Sequence, residues 1–467
     1  MLFNSGVFFQ FLAAFLLLYW LARNHLDARN LLIVVASYFF YGWWDWRFLS
    51  LLFFSSAFDF LVGIGLGRTQ SVRGRRLLVA GSILVNLTIL GFFKYWNFFA
   101  DSMAVLLSGL GFKPNVPSLS IILPVGISFY TFQSMSYAID VYRGHITPTR
   151  QFIRFLAYVA FFPQLVAGPI ERARHLLPQF SRCLLITREM IEEGIWLILW
   201  GLFKKVVVAD HCAALVDMVF EDTTWSALDV LLGTAAFGFQ VYGDFSGYSD
   251  IARGVARILG FDIMVNFQLP YFATGLRDFW RRWHISFSTW IRDYVYIPIG
   301  GNRLGPGRTA ANLMLTMTLA GLWHGAAWNF VLWGLWHGLG LSLEHLGSSK
   351  RPADDPPRFR WGSWAVTLLF VFYGWLLFRA KSSDQIAAMT LALGHWFVPF
   401  RLQSYLIVLL AWTTPLVAME IWQFKTRNRL QPLAISPVFK TLLQGLILIA
   451  ILVSWESDKV PFIYFQF

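Results

Sequence analysis

Apolar positions in this chain come in long continuous blocks rather than alternating with period two. Blocks cover residues 6–22, 31–44, 48–66, 77–93, 98–110, 119–139, 152–167, 191–208, 230–242 and 248–259. A densely mixed stretch at 277–303 follows. The chain is then apolar again at 313–346, 365–378, 386–398, 402–423 and 439–453. Lipid offers no hydrogen-bond partners, so a chain crossing it must be helical or form a closed barrel. Barrel strands alternate in polarity and these blocks do not, so helices are predicted. At about 20 residues per crossing, roughly eleven to fourteen membrane segments are expected, some of them broken or interfacial. The predicted fold class is an all-α integral membrane protein, a multi-pass helical bundle forming a single polytopic domain over 1–467. Its core would occupy about 80–346, with C-terminal helices at about 362–467.

The polar interruptions set the expected orientation. Loops 23–29 and 67–76 carry Arg23, Arg29, Arg68, Arg73, Arg75 and Arg76. By the positive-inside rule they are cytoplasmic, which puts the N-terminus outside, periplasmic in a bacterium, and Trp43 to Trp46 at the outer interface as an anchor. The first block lacks a basic lead-in and a small-residue cleavage site, so it reads as a retained helix. Pro124 and Gly126 interrupt one block, and Pro163, Gly168 and Pro169 end the next. Such breaks are tolerated where backbone lines a cavity or packs in protein. Residues 170–190 read as a cytoplasmic loop or surface helix, and 347–361 as a hydrophilic loop rich in proline and charge. The stretch RDFWRRWHISFSTWIRDYVYIPIGGNR at 277–303 mixes charge and aromatic residues too densely for a simple span. It reads as an interfacial or re-entrant helix.

Composition supports the membrane reading. Of 467 residues, 57% are hydrophobic and 14% charged, against about 25% charged in soluble domains. Mean hydropathy is +0.55. The net charge of +12 sits in short loops, so it reports topology and not nucleic-acid binding. Cys183 and Cys212 give no disulfide framework and no metal-ligand spacing.

The candidate chemistry centres on residues 321–338, GLWHGAAWNFVLWGLWHG, where the pentapeptide Gly-Leu-Trp-His-Gly occurs twice. His324, His337, Asn329 and four tryptophans, Trp323 among them, stand in an apolar run. Polar and ionisable groups at membrane depth face cavities or bundle interiors and are functional candidates by default. The histidines are thirteen residues apart. On one continuous helix that is about 1300° of rotation and about 20 Å of rise, which separates them onto nearly opposite faces. Neither has an i, i+4 ligand partner, so no metal is expected. If one histidine is catalytic, the other is structural, donating to a backbone carbonyl across helices. His284 follows Trp280-Arg281-Arg282-Trp283. It is either an interfacial histidine of a basic helix or part of a mouth in which Arg277, Arg281, Arg282 and Arg292 receive a phosphate-bearing ligand. Those arginines could equally set topology. Asp244, Ser246 and Asp250 either line a cavity or pair with basic neighbours. Glu171 is a loop residue or a functional one, and Lys204 and Lys205 read as juxtamembrane topology charges.

The 277–303 stretch, followed by GLWHGAAWNFVLWGLWHG, closely resembles the membrane-bound O-acyltransferase family. ILPVGISFYTFQSMSYAIDVYRG at 122–144, FFPQLVAGPIER at 161–172 and QVYGDFSGYSDIARG at 240–254 extend the likeness over residue 1 to about 346. The branch it is most similar to acetylates bacterial polysaccharides such as alginate and cellulose; the D-alanyl transferases of teichoic acids are more distant. The resemblance implies a helical bundle around a central funnel or tunnel, with His324 catalytic and His284 as the second important position. It implies no permanently bound cofactor and acetyl-CoA, or a carrier protein, as the donor. Trp323, Asn329, Arg281, Arg282 and Asp244 are the expected substrate-binding residues. Expected partners are a polysaccharide acceptor, membrane lipid and a periplasmic serine-esterase-like (SGNH) subunit at the bacterial inner membrane. His324 could act as general base on an acceptor hydroxyl or carry an acetyl group itself. Two rival classes stay open on the residues: a transporter of acetyl groups or lipid-linked sugars that makes no bond, and a scaffold for the periplasmic enzyme.

Overall fold

The computed structural model describes residues 1–113, 119–166, 168–347, 359–455 and 462–463. The described residues form helices joined by turns, with no strand among them. Four helical stretches are long and apolar enough to cross a membrane: Leu26–Arg68, Val72–Gly109, Trp361–Arg379 and Leu402–Thr426. Gly6–Ala22 and Pro437–Val453 are shorter apolar helices. Several predicted runs are interrupted instead. Residues 152–167 divide into Phe152–Val159 and Phe162–Leu165. The 119–139 run becomes helical only at Ile127, after Gly126 takes φ 75. A Cβ there would meet the Leu165 carbonyl at 2.7 Å, so both conformation and space demand glycine. Residues 348–358 of the expected hydrophilic loop lie outside the described residues.

The chain forms two compact units, one of Met1–Ile191 with Val255–Met264, the other of Glu192–Gly254 with Val265–Phe467. Buried polar nodes tie the first together. Asp59, on Leu49–Arg68, is fully buried. It accepts from Ser82 (2.6 Å) and Asn86 (2.9 Å) on Val72–Leu90, and from Ser134 on Ile127–Tyr142. One carboxylate thus links three helices where lipid supplies no competing partner. Arg29, expected as a loop charge, is instead fully buried at the start of Leu26–Asp45. It donates to the carbonyls of Arg182 (2.9 Å) and Gln179 (3.3 Å), because the polar 173–182 segment packs over it with unsatisfied carbonyls. Arg75 likewise donates to Leu66 and Tyr142 carbonyls at two helix C-termini.

Glu171 belongs to this first unit and is also fully buried. It accepts the Met264 N–H (2.5 Å), and its other oxygen lies 2.9 Å from His175 Nδ1. Asp262 is 3.6 Å from His175 Nε2. Burial pushes the Glu171 carboxyl up, whereas Asp262 and then Glu171 push His175 up to about 10. The cluster clamps the 170–181 segment to the 260–264 turn.

The two predicted runs at 230–242 and 248–259 form one 32-residue helix, Ala227–Ile258, of which the part up to Gly254 belongs to the second unit. The intervening polar residues do not break it because they have partners on the helix beside it. Lys204 lies 2.6 Å from Asp250. Lys205 lies 2.7 Å from Asp210 and 2.9 Å from Asp244. Both lysines are buried ion-pair members, not the exposed topology charges expected. Gly243, Gly247 and Gly254 let the backbones touch: a Cβ at Gly247 would meet the Gly201 carbonyl at 2.7 Å, and one at Gly254 the Gly194 carbonyl at 2.5 Å.

Candidate active site

The 277–303 stretch holds two seven-residue helices, Leu276–Arg282 and Ile285–Ile291, and a wide turn at Arg292–Tyr296. His284 stands between the two helices at φ 42, in left-handed conformation. A non-glycine residue held there needs anchoring on both sides. Asn266 supplies it. Its backbone carbonyl accepts the Ile285 N–H (2.9 Å), and its Oδ1 accepts from the Ser286 hydroxyl (2.7 Å) and N–H (3.3 Å). The same Oδ1 lies 3.2 Å from His284 Nδ1. An oxygen already receiving two donors assigns the proton to Nδ1, so in the neutral ring Nε2 is the basic nitrogen. Asn266 Nδ2 in turn donates to Ser249 on the long helix (3.2 Å).

The run holding the twin pentapeptides is not one helix. Pro306–His324 ends at the first histidine, the chain turns at Gly325, and Trp328–Gly347 returns along it. Glycines make this hairpin tight. A Cβ at Gly321 would strike the Phe330 carbonyl, one at Gly334 the Met317 carbonyl, and one at Gly325 the Phe330 ring. A Cβ at Gly338 would meet Met314 Cα at 3.0 Å. The repeated Gly-Leu-Trp-His-Gly is therefore a packing device, small residues facing small residues at the crossing.

The hairpin corrects the expected separation of the two histidines, which assumed a continuous helix. Trp333 lies between them, its ring centroid 5.1 Å from His324 and 4.8 Å from His337. His324 is 3% exposed and sits among Trp323 (5.0 Å), Phe378 (5.4 Å) and Phe287 (5.5 Å). His284, fully buried, has its ring centroid 6.5 Å from that of His324. His337 is also fully buried, with Trp280 at 5.2 Å. Neither of its ring nitrogens meets a hydrogen-bond partner among the described residues.

A cavity of about 480 Å³ lies beside this cluster: its lining residues Phe287 and Trp280 touch the histidine rings, while His284, His324 and His337 do not themselves line it. Phe287 and Ala320 line its inner end, and Ala320 is one helical turn before His324. Arg277, Arg281, Arg292 and His345 line its other part. Arg277 is engaged with Glu344 (3.1 Å) and Arg292 with Asp293 (2.8 Å), while Arg281 is exposed and makes no ion pair among the described residues.

The other expected substrate-binding residues are placed differently. Arg282 does not line this cavity; it pairs with Asp278 at 2.8 Å, one helical turn away. Asp244 does not line it either. It is held by Lys205 and by the Ile463 N–H (2.6 Å), a fold contact on the long helix. Asn329 donates to the carbonyls of Phe378 (3.1 Å) and Ala380 (3.0 Å), satisfying the end of the Trp361–Arg379 helix. Trp323 stacks on Phe287 at 4.2 Å and so walls the space between His284 and His324. Asn266 and Phe287 escaped the sequence reading, since neither stands at a spacing that marks it.

A buried pair of imidazoles, one with its tautomer fixed, behind the Phe287 wall of a cavity lined by arginines suits transfer chemistry on a charged donor. Comparison with known proteins identifies the class. The model of the membrane-bound O-acyltransferase family matches residues 145–383. The chain is 43% identical over 404 residues to the protein named probable alginate O-acetylase of Azotobacter vinelandii, covering 85% of this chain and 79% of that one. This chain belongs to the membrane-bound O-acyltransferase family. It is also 45% identical to the protein of the same name from Pseudomonas aeruginosa, over 82% of this chain and 72% of the other. With the peptidoglycan O-acetyltransferase of Helicobacter pylori it shares 35% identity over 82% and 78%. The family match spans His284, Asn266, the hairpin and Arg281, so the acyltransferase segment and the histidine cluster coincide.

Proposed function

We propose that this acyltransferase takes acetyl groups from acetyl-CoA at the cytoplasmic face of the bacterial inner membrane, for O-acetylation of an exopolysaccharide such as alginate or cellulose. The observation that carries this is the histidine pair, 6.5 Å between ring centroids, directly behind Phe287 in the wall of a cavity that Arg277, Arg281 and Arg292 also line. Guanidinium groups bind the phosphates of coenzyme A through charge-assisted hydrogen bonds. The thioester is already activated, so the protein's task is positioning and proton transfer. His324 accepts the proton of the attacking acceptor hydroxyl; the hydroxyl oxygen bonds to the acetyl carbonyl carbon; the carbon–sulfur bond breaks. The coenzyme A thiolate leaves and takes a proton. His284, with Nδ1 anchored on Asn266, holds the second basic nitrogen near the same space.

The relatives named for alginate and peptidoglycan O-acetylation support a polysaccharide as the final acceptor. In this reading a periplasmic serine-esterase-like subunit completes delivery, and the basic loops at 23–29 and 67–76 support a periplasmic N-terminus. The test is purified protein with acetyl-labelled acetyl-CoA: acetyl transfer to an added acceptor, or thioester hydrolysis, is expected. A protein that only moves the label across a vesicle membrane, with the thioester intact, is a transporter and the proposal fails.

A further inference from the structure

A second cavity, about 280 Å³, lies in the same unit as the histidine cluster and shares none of its lining with the first. Its walls come from four parts of the chain, one of them holding Val265 and Leu269. Trp196 and Trp200 stand on the Arg188–Leu202 helix with their rings parallel, 5.9 Å apart. Asp250 and Arg253 come from the end of the long helix. Glu420 and Arg429 come from the Leu402–Thr426 helix and the turn that follows it. That turn joins a membrane-length helix to the apolar Pro437–Val453 helix.

The charges here are unevenly satisfied. Asp250 is shared by Lys204 (2.6 Å) and Arg253 (3.6 Å). Glu420 receives the Tyr242 hydroxyl. Asp250 and Glu420 are thus already serving as acceptors; a third carboxylate, Glu193, also lines the cavity and has contacts of its own. Arg429 is half-buried, lines the cavity and has no hydrogen bond or ion pair among the described residues. Its backbone is fixed, because Gln423 Nε2 donates to the Arg429 carbonyl at 2.9 Å. The Arg429 guanidinium acts at a distance on Asp250 and Glu420 but donates to neither, so its five donors, beside a second arginine and a buried lysine, stand open to an anion with several acceptor oxygens. The parallel indoles offer apolar and aromatic surface next to it, as amphipathic ligands at membrane interfaces require.

We propose that this cavity binds a phosphate ester, its phosphate on Arg429 and Arg253 and its apolar portion against Trp196 and Trp200. This site is separate from the acyl-transfer cavity. The 240–254 motif, whose Ser249 supports Asn266 in the transfer site, supplies Tyr242, Asp250 and Arg253 to the wall of this second cavity.

The experiment follows thermal unfolding and native mass spectra of the full-length protein in phosphate-free neutral detergent. Phosphatidylglycerol, inorganic phosphate or diacylglycerol is added to separate samples. Wild type is expected to gain stability and one bound phosphate-bearing molecule, with no gain from diacylglycerol. A gain from phosphatidylglycerol alone identifies a lipid headgroup as the source; a gain from inorganic phosphate identifies a soluble phosphate. Arg429→Ala, which leaves the Gln423 contact to the backbone intact, is expected to weaken the responding ligand about ten- to hundredfold. Arg429→Lys falls between the two. Equal responses of wild type and Arg429→Ala, an equal gain from diacylglycerol, or no bound phosphate in wild type would overturn the proposal.

Discussion

Gly334→Ala is the smallest change that tests the hairpin as the device that assembles the site. The added methyl would strike the Met317 carbonyl and lie 2.8 Å from Thr318 Cα. Both are backbone atoms on the facing helix, so no side chain can rotate away and the two helices must move apart. Overpacking of this kind costs about 1–3 kcal/mol, against a gain of about 0.5–1 kcal/mol from replacing helical glycine with alanine. The net expectation is a loss of up to about 2.5 kcal/mol, and Gly334→Ala falls below the Gly445→Ala control by the full overpacking cost of about 1–3 kcal/mol. Trp333 precedes the substitution and separates His324 from His337, so separation of the helices also displaces the wall of the site. A misplacement of about 1 Å can cost roughly a hundredfold in rate. Gly445→Ala is the matched control, because a Cβ there meets nothing within 4 Å. Thermal unfolding in detergent and acetyl transfer from labelled acetyl-CoA read both effects. Gly334→Ala matching Gly445→Ala in stability and rate would refute the reasoning.

Asn266→Ala removes the acceptor for His284 Nδ1 and two Ser286 donors. With each buried unsatisfied donor costing about 1–3 kcal/mol, kcat and stability should both fall, and Asn266→Asp, which keeps the acceptor, should retain more activity. Arg281→Glu should raise KM for acetyl-CoA by about tenfold or more, with kcat little changed, from loss of a charge-assisted contact; an unchanged KM places the donor's phosphates elsewhere. His175 has its pKa raised from 6.5 to about 10 by Asp262 and Glu171. Its protonated form is therefore favoured in the folded protein, so its contribution to stability is full below pH 6.5 and is lost as pH rises through about 10. His175→Gln should flatten the fall in melting temperature over that window, and an unchanged slope would show that the cluster does not couple to folding.

The helical class was legible because continuous apolar blocks admit no other backbone solution in lipid. His284, His324 and the basic residues at 277–292 were legible because charged and aromatic side chains are so dense there. The hairpin was hidden. Gly325 and the residues around it are small and apolar enough to pass for continuing helix, and only the backbone contacts of Gly321 and Gly334 reveal the turn. That error pushed His337 away from His324 on paper, although both touch Trp333. The long Ala227–Ile258 helix was hidden for the converse reason. Its polar residues look like a break until Lys204 and Lys205, some forty positions earlier, are seen to pair with them. Asn329 and Asp244 were drawn into the site by their rarity in apolar sequence, but a helix terminus and a buried lysine need such partners just as much.

The role of His324 can be measured most directly by single-turnover acetyl transfer from labelled acetyl-CoA, comparing wild type with His324→Ala at matched amounts of folded, membrane-inserted protein. Loss of a general base predicts a fall of about a hundred- to ten-thousandfold with little change in acetyl-CoA binding. A His324→Ala variant that transfers acetyl at the wild-type rate would contradict the assignment.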